Sequence, residues 1–141
     1  MIDIEPQVYA KVLAGVTSAL AEMGINYAPR HVCNEYVNAP AVFPHISITE
    51  IGNTTDPGTR STSNTEEYAA VTYQVEICSN KRNGRKAECK RLAAAIDEVL
   101  LGLGFTRKSL DSFPNLLDAT VYRIVGRYTA LVSKDEVLYR R

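Results

Sequence analysis

Tryptophan is absent from this chain, and cysteine is scarce: Cys33, Cys78 and Cys89 are the only three. An odd, widely spaced set is no disulfide framework and reads as free thiols in a reducing compartment. Net charge is lacking as well. The 16 basic and 16 acidic side chains cancel, so bulk charge predicts no polyanionic partner. No apolar run approaches the ~18 residues that a membrane helix needs, so no membrane role is expected. The opening Met1-Ile2-Asp3-Ile4-Glu5 is acidic where a secretory signal is basic, and the expectation is that it is not one.

Catalytic signatures are missing too. No Cys-x-x-Cys or His-x-x-x-His pair accompanies His31, Cys33, His45, Cys78 and Cys89, so the local half-sites of zinc motifs do not form. Cys33 has His31 two residues away, a spacing that supplies no special base geometry. No Gly-x-Ser-x-Gly elbow exists, and Asn83-Gly84-Arg85 offers one glycine where a phosphate loop needs several. Glu66-Glu67 and Asp135-Glu136 lie in loop-like segments and read as solvated charge. The expectation is no enzyme, no metal and no cofactor, since no set of convergent polar groups marks a reaction centre.

What is present is ordinary globular composition: 141 residues, 45% hydrophobic and 23% charged. That is enough for one domain, residues 1–141, with a proper core. Residues 5 to 23 predict a helix, because Val8, Val12, Leu13, Val16, Leu20 and Met23 draw one apolar stripe and Pro6 sits in the first turn. Gly24 is placed to cap its C-terminus. Val32 to Val37 reads as a short strand, His45 to Ile51 as a second. Gly52 to Glu66 has seven Ser or Thr residues, Pro57-Gly58 and no periodicity, and is expected to be a long flexible loop. Ala69 to Cys78 alternates cleanly and is a strand, so the loop joins a long-armed hairpin. Lys81 to Gly84 is a turn. A second helix runs to about Gly102 with Leu92, Ala95, Ile96, Val99, Leu100 and Leu103 on its stripe. Ser109 to Asn115 reads as a loop. A long strand from Ala119, a hairpin at Ser133 to Glu136 and a short strand Val137 to Tyr139 finish the chain. The order predicts an α+β domain: a mainly antiparallel β-sheet with two helices packed on one face.

Two surfaces stand out. In the last long strand, Thr120, Tyr122, Ile124, Tyr128, Ala130 and Val132 share one side, and Val121, Arg123, Val125, Arg127, Thr129 and Leu131 share the other. The first set reads as core. The second mixes branched apolar residues with arginines, as an unpartnered interface does. The other surface is the start of the second helix, where Lys81, Arg82, Arg85, Lys86, Lys90 and Arg91 crowd. Positive charge there opposes the helix dipole, which an anionic partner would offset. That partner is either a neighbouring subunit's acids or nucleic acid. The dull reading of such a run is a solvated face.

Tyr68 to Ile77, Arg85 to Leu103 and Ala119 to Arg141, with Arg127-Tyr128 and Tyr139-Arg140 in the last, together resemble the tail terminator and tail completion proteins of long-tailed bacteriophages, the class of lambda's U protein. Nearly the whole chain fits that layout. The resemblance implies a non-enzymatic virion protein of the tail or neck, assembled in the host cytoplasm. It implies a homo-oligomeric, hexameric ring that caps the tail tube, stops its polymerisation and offers a surface to the head-tail connector or head-closure protein. DNA contact would arise at most within the ring lumen. Head-closure and minor capsid components of similar size remain alternatives, as does a small-molecule-binding α+β domain. The interface expected on this reading comprises Glu76, Arg82, Arg85, Lys86, Val121, Arg123, Val125, Arg127, Tyr139 and Arg140. Glu66, Glu67, Glu76 and Asp97 are candidate mates for the cations. Reversing both Arg123 and Arg127 to Glu is expected to weaken assembly and leave the monomer folded.

Overall fold

A computed structural model describes residues 1–25, 31–35, 42–55, 68–114, 120–135 and 138–139. The elements in chain order are α1 (Glu5–Glu22), β1 (Val32–Cys33), β2 (His45–Thr55), β3 (Tyr68–Ser79), α2 (Arg85–Leu103), β4 (Thr106–Pro114), β5 (Tyr122–Ser133) and β6 (Leu138–Tyr139). This is the α+β architecture that the hydrophobic periods dictate. α1 buries Val8, Val12, Val16 and Leu20, one residue per turn. α2 buries Cys89, Leu92, Ala93, Ile96 and Leu100. Glycines at positive φ bracket α2: Gly84 before it and Gly104 after it. The Gly104 N–H bonds the Leu101 carbonyl, and the Phe105 N–H reaches back to Leu100, so the chain leaves the helix at a defined angle.

The strands form a sheet in the order β1-β2-β3-β5-β4, with β6 also paired to β5. β1 runs parallel to β2, and the other pairs are antiparallel. Ladder alternation assigns the two faces. Ala69, Val71, Tyr73, Val75 and Ile77 of β3 lie opposite Val132, Ala130, Tyr128, Gly126 and Ile124 of β5. These strand residues, apart from the glycine, join the buried helix residues in one cluster. Both helices therefore cover the same face. Tyr73, Tyr128 and Phe105 are its largest fully buried side chains, and Tyr73 meets Phe105 edge-on at 5.4 Å.

Three expectations need correction. Ser109 to Asn115 is not a loop through Pro114: β4 occupies Thr106–Pro114, paired along β5. Its sequence, Thr-Arg-Lys-Ser-Leu-Asp-Ser-Phe-Pro, lacks apolar alternation because it is an outer strand, bulged between Arg107 and Ser109. Bulges, charge and a terminal proline are what edge strands carry. Second, β2 continues to Thr55 past a bulge between Glu50 and Gly52, so residues 52–55 of the expected loop belong to the hairpin arm. The rest of that loop, 56–66, lies outside the described residues. Third, Thr120 is exposed and stands before the strand, not in its buried set. Residues 36–37 of the first expected strand, Glu136 and Val137 also lie outside the described residues.

The helices meet closely at Gly15. A Cβ there would come within 2.5 Å of Val99 Cγ2. Alanine is favoured over glycine inside a helix by roughly 1 kcal/mol, but forcing a methyl into a packed seam costs about 1–3 kcal/mol. Overpacking should win. Gly15→Ala is expected to lower the denaturant midpoint, and pairing it with Val99→Ala should recover part of the loss. A Gly15→Ala protein more stable than the parent would show that the seam has slack.

Candidate functional site

The face of the sheet turned away from the helices carries a polar row across β3 and β5. Arg123 Nη2 donates to Glu76 Oε1 at 2.9 Å. Gln74 Nε2 donates to the same oxygen at 3.1 Å. Arg127 Nε donates to Gln74 Oε1 at 3.2 Å. The register dictates this row, because Gln74 sits opposite Arg127 while Glu76 is diagonal to Arg123, within reach of a long side chain. Among the described residues three buried polar atoms lack partners, and all lie on β4 and β5: Arg123 Nε, Thr106 Oγ1 and Thr129 Oγ1. Thr106 and Thr129 are direct cross-strand neighbours.

This face is less open than the alternation implies. Glu76, Val121 and Val125 are already buried within the chain, so as surface contacts these three are corrected. Arg123 is committed to Glu76, its side chain 28% exposed. Arg127 is the exposed member of the row. Tyr139 pairs through its backbone with Leu131, and Arg140 lies outside the described residues.

Cys33 meets a histidine other than the one its sequence neighbourhood suggests. Parallel pairing of β1 with β2 sets Cys33 beside Ser47 and brings its Sγ to 3.6 Å from His45 Nε2. The thiol donates to the Glu35 carbonyl at 2.9 Å, and Ser47 donates to the same oxygen at 2.7 Å. Burial and the neighbouring His31 lower the pKa of His45, which favours the neutral ring. Burial pushes Cys78 up and Cys89 up to about 12, so both stay protonated near neutrality. Among the described residues no three His, Cys, Asp or Glu are placed to share a metal.

At the start of α2, Lys81 lies 4.0 Å from Glu88, and Arg91 reaches Glu22 of α1 at 3.4 Å. Arg82, Lys86 and Lys90 are exposed, Arg85 is half-buried, and none of these four forms an ion pair among the described residues. Two of their expected mates are engaged elsewhere. Glu76 holds Arg123, and Asp97 accepts from Tyr128 at 2.8 Å and Arg107 at 3.1 Å. Glu66 and Glu67 lie outside the described residues.

Lys86 and Lys90 line a groove of about 800 Å³ between α2 and β4, where Arg107, Asp97, Glu98 and Asp111 balance their charge and Ala93, Leu110 and Ile124 add apolar surface. Leu110, 36% exposed, forms its rim. Leu110 lies over Gly126, where a Cβ would stand 2.9 Å from its Cδ1, so a residue without a side chain is what lets it settle. The groove was not legible in the sequence because β4, its outer wall, reads as a loop.

The opposite edge of the sheet is acidic. Asp3, Glu5 and Glu50 cluster where α1 begins beside β2, and no cation pairs with them among the described residues. Asn53 Nδ2 bonds both the Ile2 carbonyl and Glu50 Oε1, and the Tyr73 hydroxyl donates to the same carboxylate. Burial raises the Glu50 pKa, and Glu5 and Asp3 raise it further against the bonds from Asn53 and Tyr73. The folded state thus holds this proton more tightly than the unfolded chain does. Stability is full below the unfolded carboxylate pKa and falls as pH rises through the folded value. Glu50→Gln is therefore expected to raise the melting temperature at neutral pH, with the gain vanishing in acid. A gain that persists below the unfolded carboxylate pKa would assign it to some other cause.

No protein-family model matches the chain, and no curated protein matches it. Its fold is similar to that of a chain in the solved structure "Virion of native gene transfer agent (GTA) particle": the TM-score is 0.62, over 89% of this chain and 91% of that one, at 16% identity. The likeness runs end to end and is one of fold.

Proposed function

We propose that this chain is a structural, non-enzymatic component of a phage-like virion, a tail terminator whose ring caps the tail tube, ends its polymerisation and presents the head-joining surface. The observation that carries this reading is the end-to-end likeness to a virion chain, joined to the layout of Tyr68 to Ile77, Arg85 to Leu103 and Ala119 to Arg141. The exposed cations of α2 that form no ion pair among the described residues support an assembling surface. Arg127, exposed beside Gln74, is the arginine of the outer sheet face available to a tube or connector protein. The neighbour's description names a whole particle and no part of it, so it serves a head-closure or minor capsid component of the neck as well.

The test is the mass of the purified protein across concentration and salt, alone and with tail tubes added. A closed ring of about six chains, by itself or on tubes, is the expected result. A protein that stays monomeric and ignores tubes but binds connector protein moves the role to head closure. One that binds neither overturns the virion reading.

A further inference from the structure

Residues 1–4 run ahead of α1 with no helix or strand geometry of their own, yet Ile2 and Ile4 are buried in the core cluster. The segment lies against the bulged end of β2. Asn53 Nδ2 donates to the Ile2 carbonyl at 2.7 Å and to Glu50 Oε1 at 3.3 Å, so one side chain bridges the segment to a carboxylate. The bulge makes this possible. Three residues apart in a regular strand, Glu50 and Asn53 would point to opposite faces. The extra residue at Ile51 sets Glu50 opposite Tyr73 and Asn53 opposite Val71, both on the side that the helices cover.

Among the described residues, the titratable groups that bear on the half-buried Glu50 carboxyl are Asp3 of the segment, Glu5 of the first turn of α1 and Tyr73 of β3. The Tyr73 hydroxyl donates to Oε1 at 3.4 Å. Asp3 Oδ1 accepts from the Glu5 N–H at 3.1 Å, which keeps that carboxylate by the start of the helix. Burial opposes ionisation of Glu50 most. The Asn53 bond favours it, Glu5 and Asp3 oppose it, and the Tyr73 bond favours it least. Asp3 travels with the segment, so its repulsion is felt only while the segment is down.

We propose that residues 1–4 form a clasp governed by Glu50: the protonated carboxyl holds the segment down through Asn53, and the ionised carboxylate shifts the balance toward release. The sign follows from linkage. The docked state binds the Glu50 proton more tightly than the released state, so docking is fullest below the released carboxyl's pKa and weakens as pH rises through the docked one. Release withdraws Ile2 and Ile4 from the core while the strands and the rest of α1 stay in place, a local opening and not an unfolding. It occurs at a margin of the sheet, since β1 covers β2 only at Ile46 and Ser47. The clasp thereby couples exposure of two isoleucines to pH. It rests on no part of the virion reading.

The test is hydrogen exchange at the Val8 amide, followed by NMR. Val8 N–H bonds the Ile4 carbonyl at 3.0 Å, an acceptor that moves with the segment. Each rate is divided by that of an unstructured peptide at the same pH, and the amides of β3 serve as the global reference. Val8 protection is expected to drop as pH is raised from acid to neutral. At any one pH it should stay unchanged in low urea, since a local opening exposes little new surface. In Glu50→Gln, which still offers Asn53 and Tyr73 an acceptor, the drop with pH should be lost. In Glu5→Gln it should shrink, because one opposing carboxylate is gone. Val8 protection that is flat with pH overturns the clasp: the Glu50 side chain then turns out to water and leaves the segment down. A Val8 amide that exchanges only by the urea-sensitive route of β3 overturns it too, since the segment then opens only when the whole chain does. A Glu50→Gln protein that keeps the drop does the same, by assigning it to another group.

Discussion

Replacing Arg123 with methionine is expected to destabilise the fold by about 3 kcal/mol, because it strands a buried carboxylate. Glu76 is 7% exposed. Its Oε1 accepts from Arg123 and Gln74; without Arg123 only a neutral amide remains. Breaking one partner of a buried pair costs about 3–5 kcal/mol, and the low end applies because water still reaches part of Arg123. Arg127→Met removes a single bond to Gln74 from an exposed position and should stay within about 0.5 kcal/mol. Glu76→Leu/Arg123→Leu should regain much of the loss, since apolar pairs often replace buried ion pairs without penalty. Urea unfolding of the four proteins checks the order. Arg123→Met and Arg127→Met proving equal would mean that the Glu76 pair contributes nothing.

That result also changes how the outer sheet face must be probed. Reversing Arg123 and Arg127 together, which the alternation alone recommends, would set a new carboxylate against buried Glu76 and unfold the monomer. Loss of assembly would then say nothing about a seam. Arg127 alone is the clean position.

The contrast shows which signals a sequence carries. β3 and β5 were legible because each has one face in the core and the other outside it, so burial writes a period of two into the chain. α1 and α2 were legible for the corresponding reason at a period of 3.6. β4 was not, since its contribution is backbone pairing to β5, and hydrogen bonds leave no trace in side-chain hydropathy. Everything that depends on β4 was hidden with it: the groove, the exposed Leu110 and the role of Gly126. The Cys33–His45 contact was hidden differently, by parallel pairing between segments that the sequence presents as separate. The cations of α2 were visible, but their mates were not. Asp97 was offered as one and proves to hold Arg107 and Tyr128 inside the chain. The acidic corner of Asp3, Glu5 and Glu50 comes together only when β2 runs past Ile51 beside the start of α1.

Phe105→Ala is expected to cost about 3–5 kcal/mol, the usual range for a fully buried aromatic ring cut to a methyl. Against a typical net stability of roughly 5–15 kcal/mol, that leaves little in reserve. Phe105 is 0% exposed and meets Tyr73 at 89°, an edge-to-face geometry that adds to simple burial. Its position matters as much as its size. Gly104 turns the chain out of α2 and β4 begins at Thr106, so the ring of Phe105 pins the corner from which the two walls of the groove diverge. Phe105→Leu keeps most of the volume and should lose less, about 1–2 kcal/mol. The two variants separate packing from geometry. If α2 and β4 contribute contacts to the proposed ring, Phe105→Leu should weaken self-association by more than its small stability loss explains, because the two elements would no longer hold one fixed angle. Association unchanged in a folded Phe105→Leu protein would show that the corner sets stability alone and that Leu110 is presented by β5 and Gly126 instead.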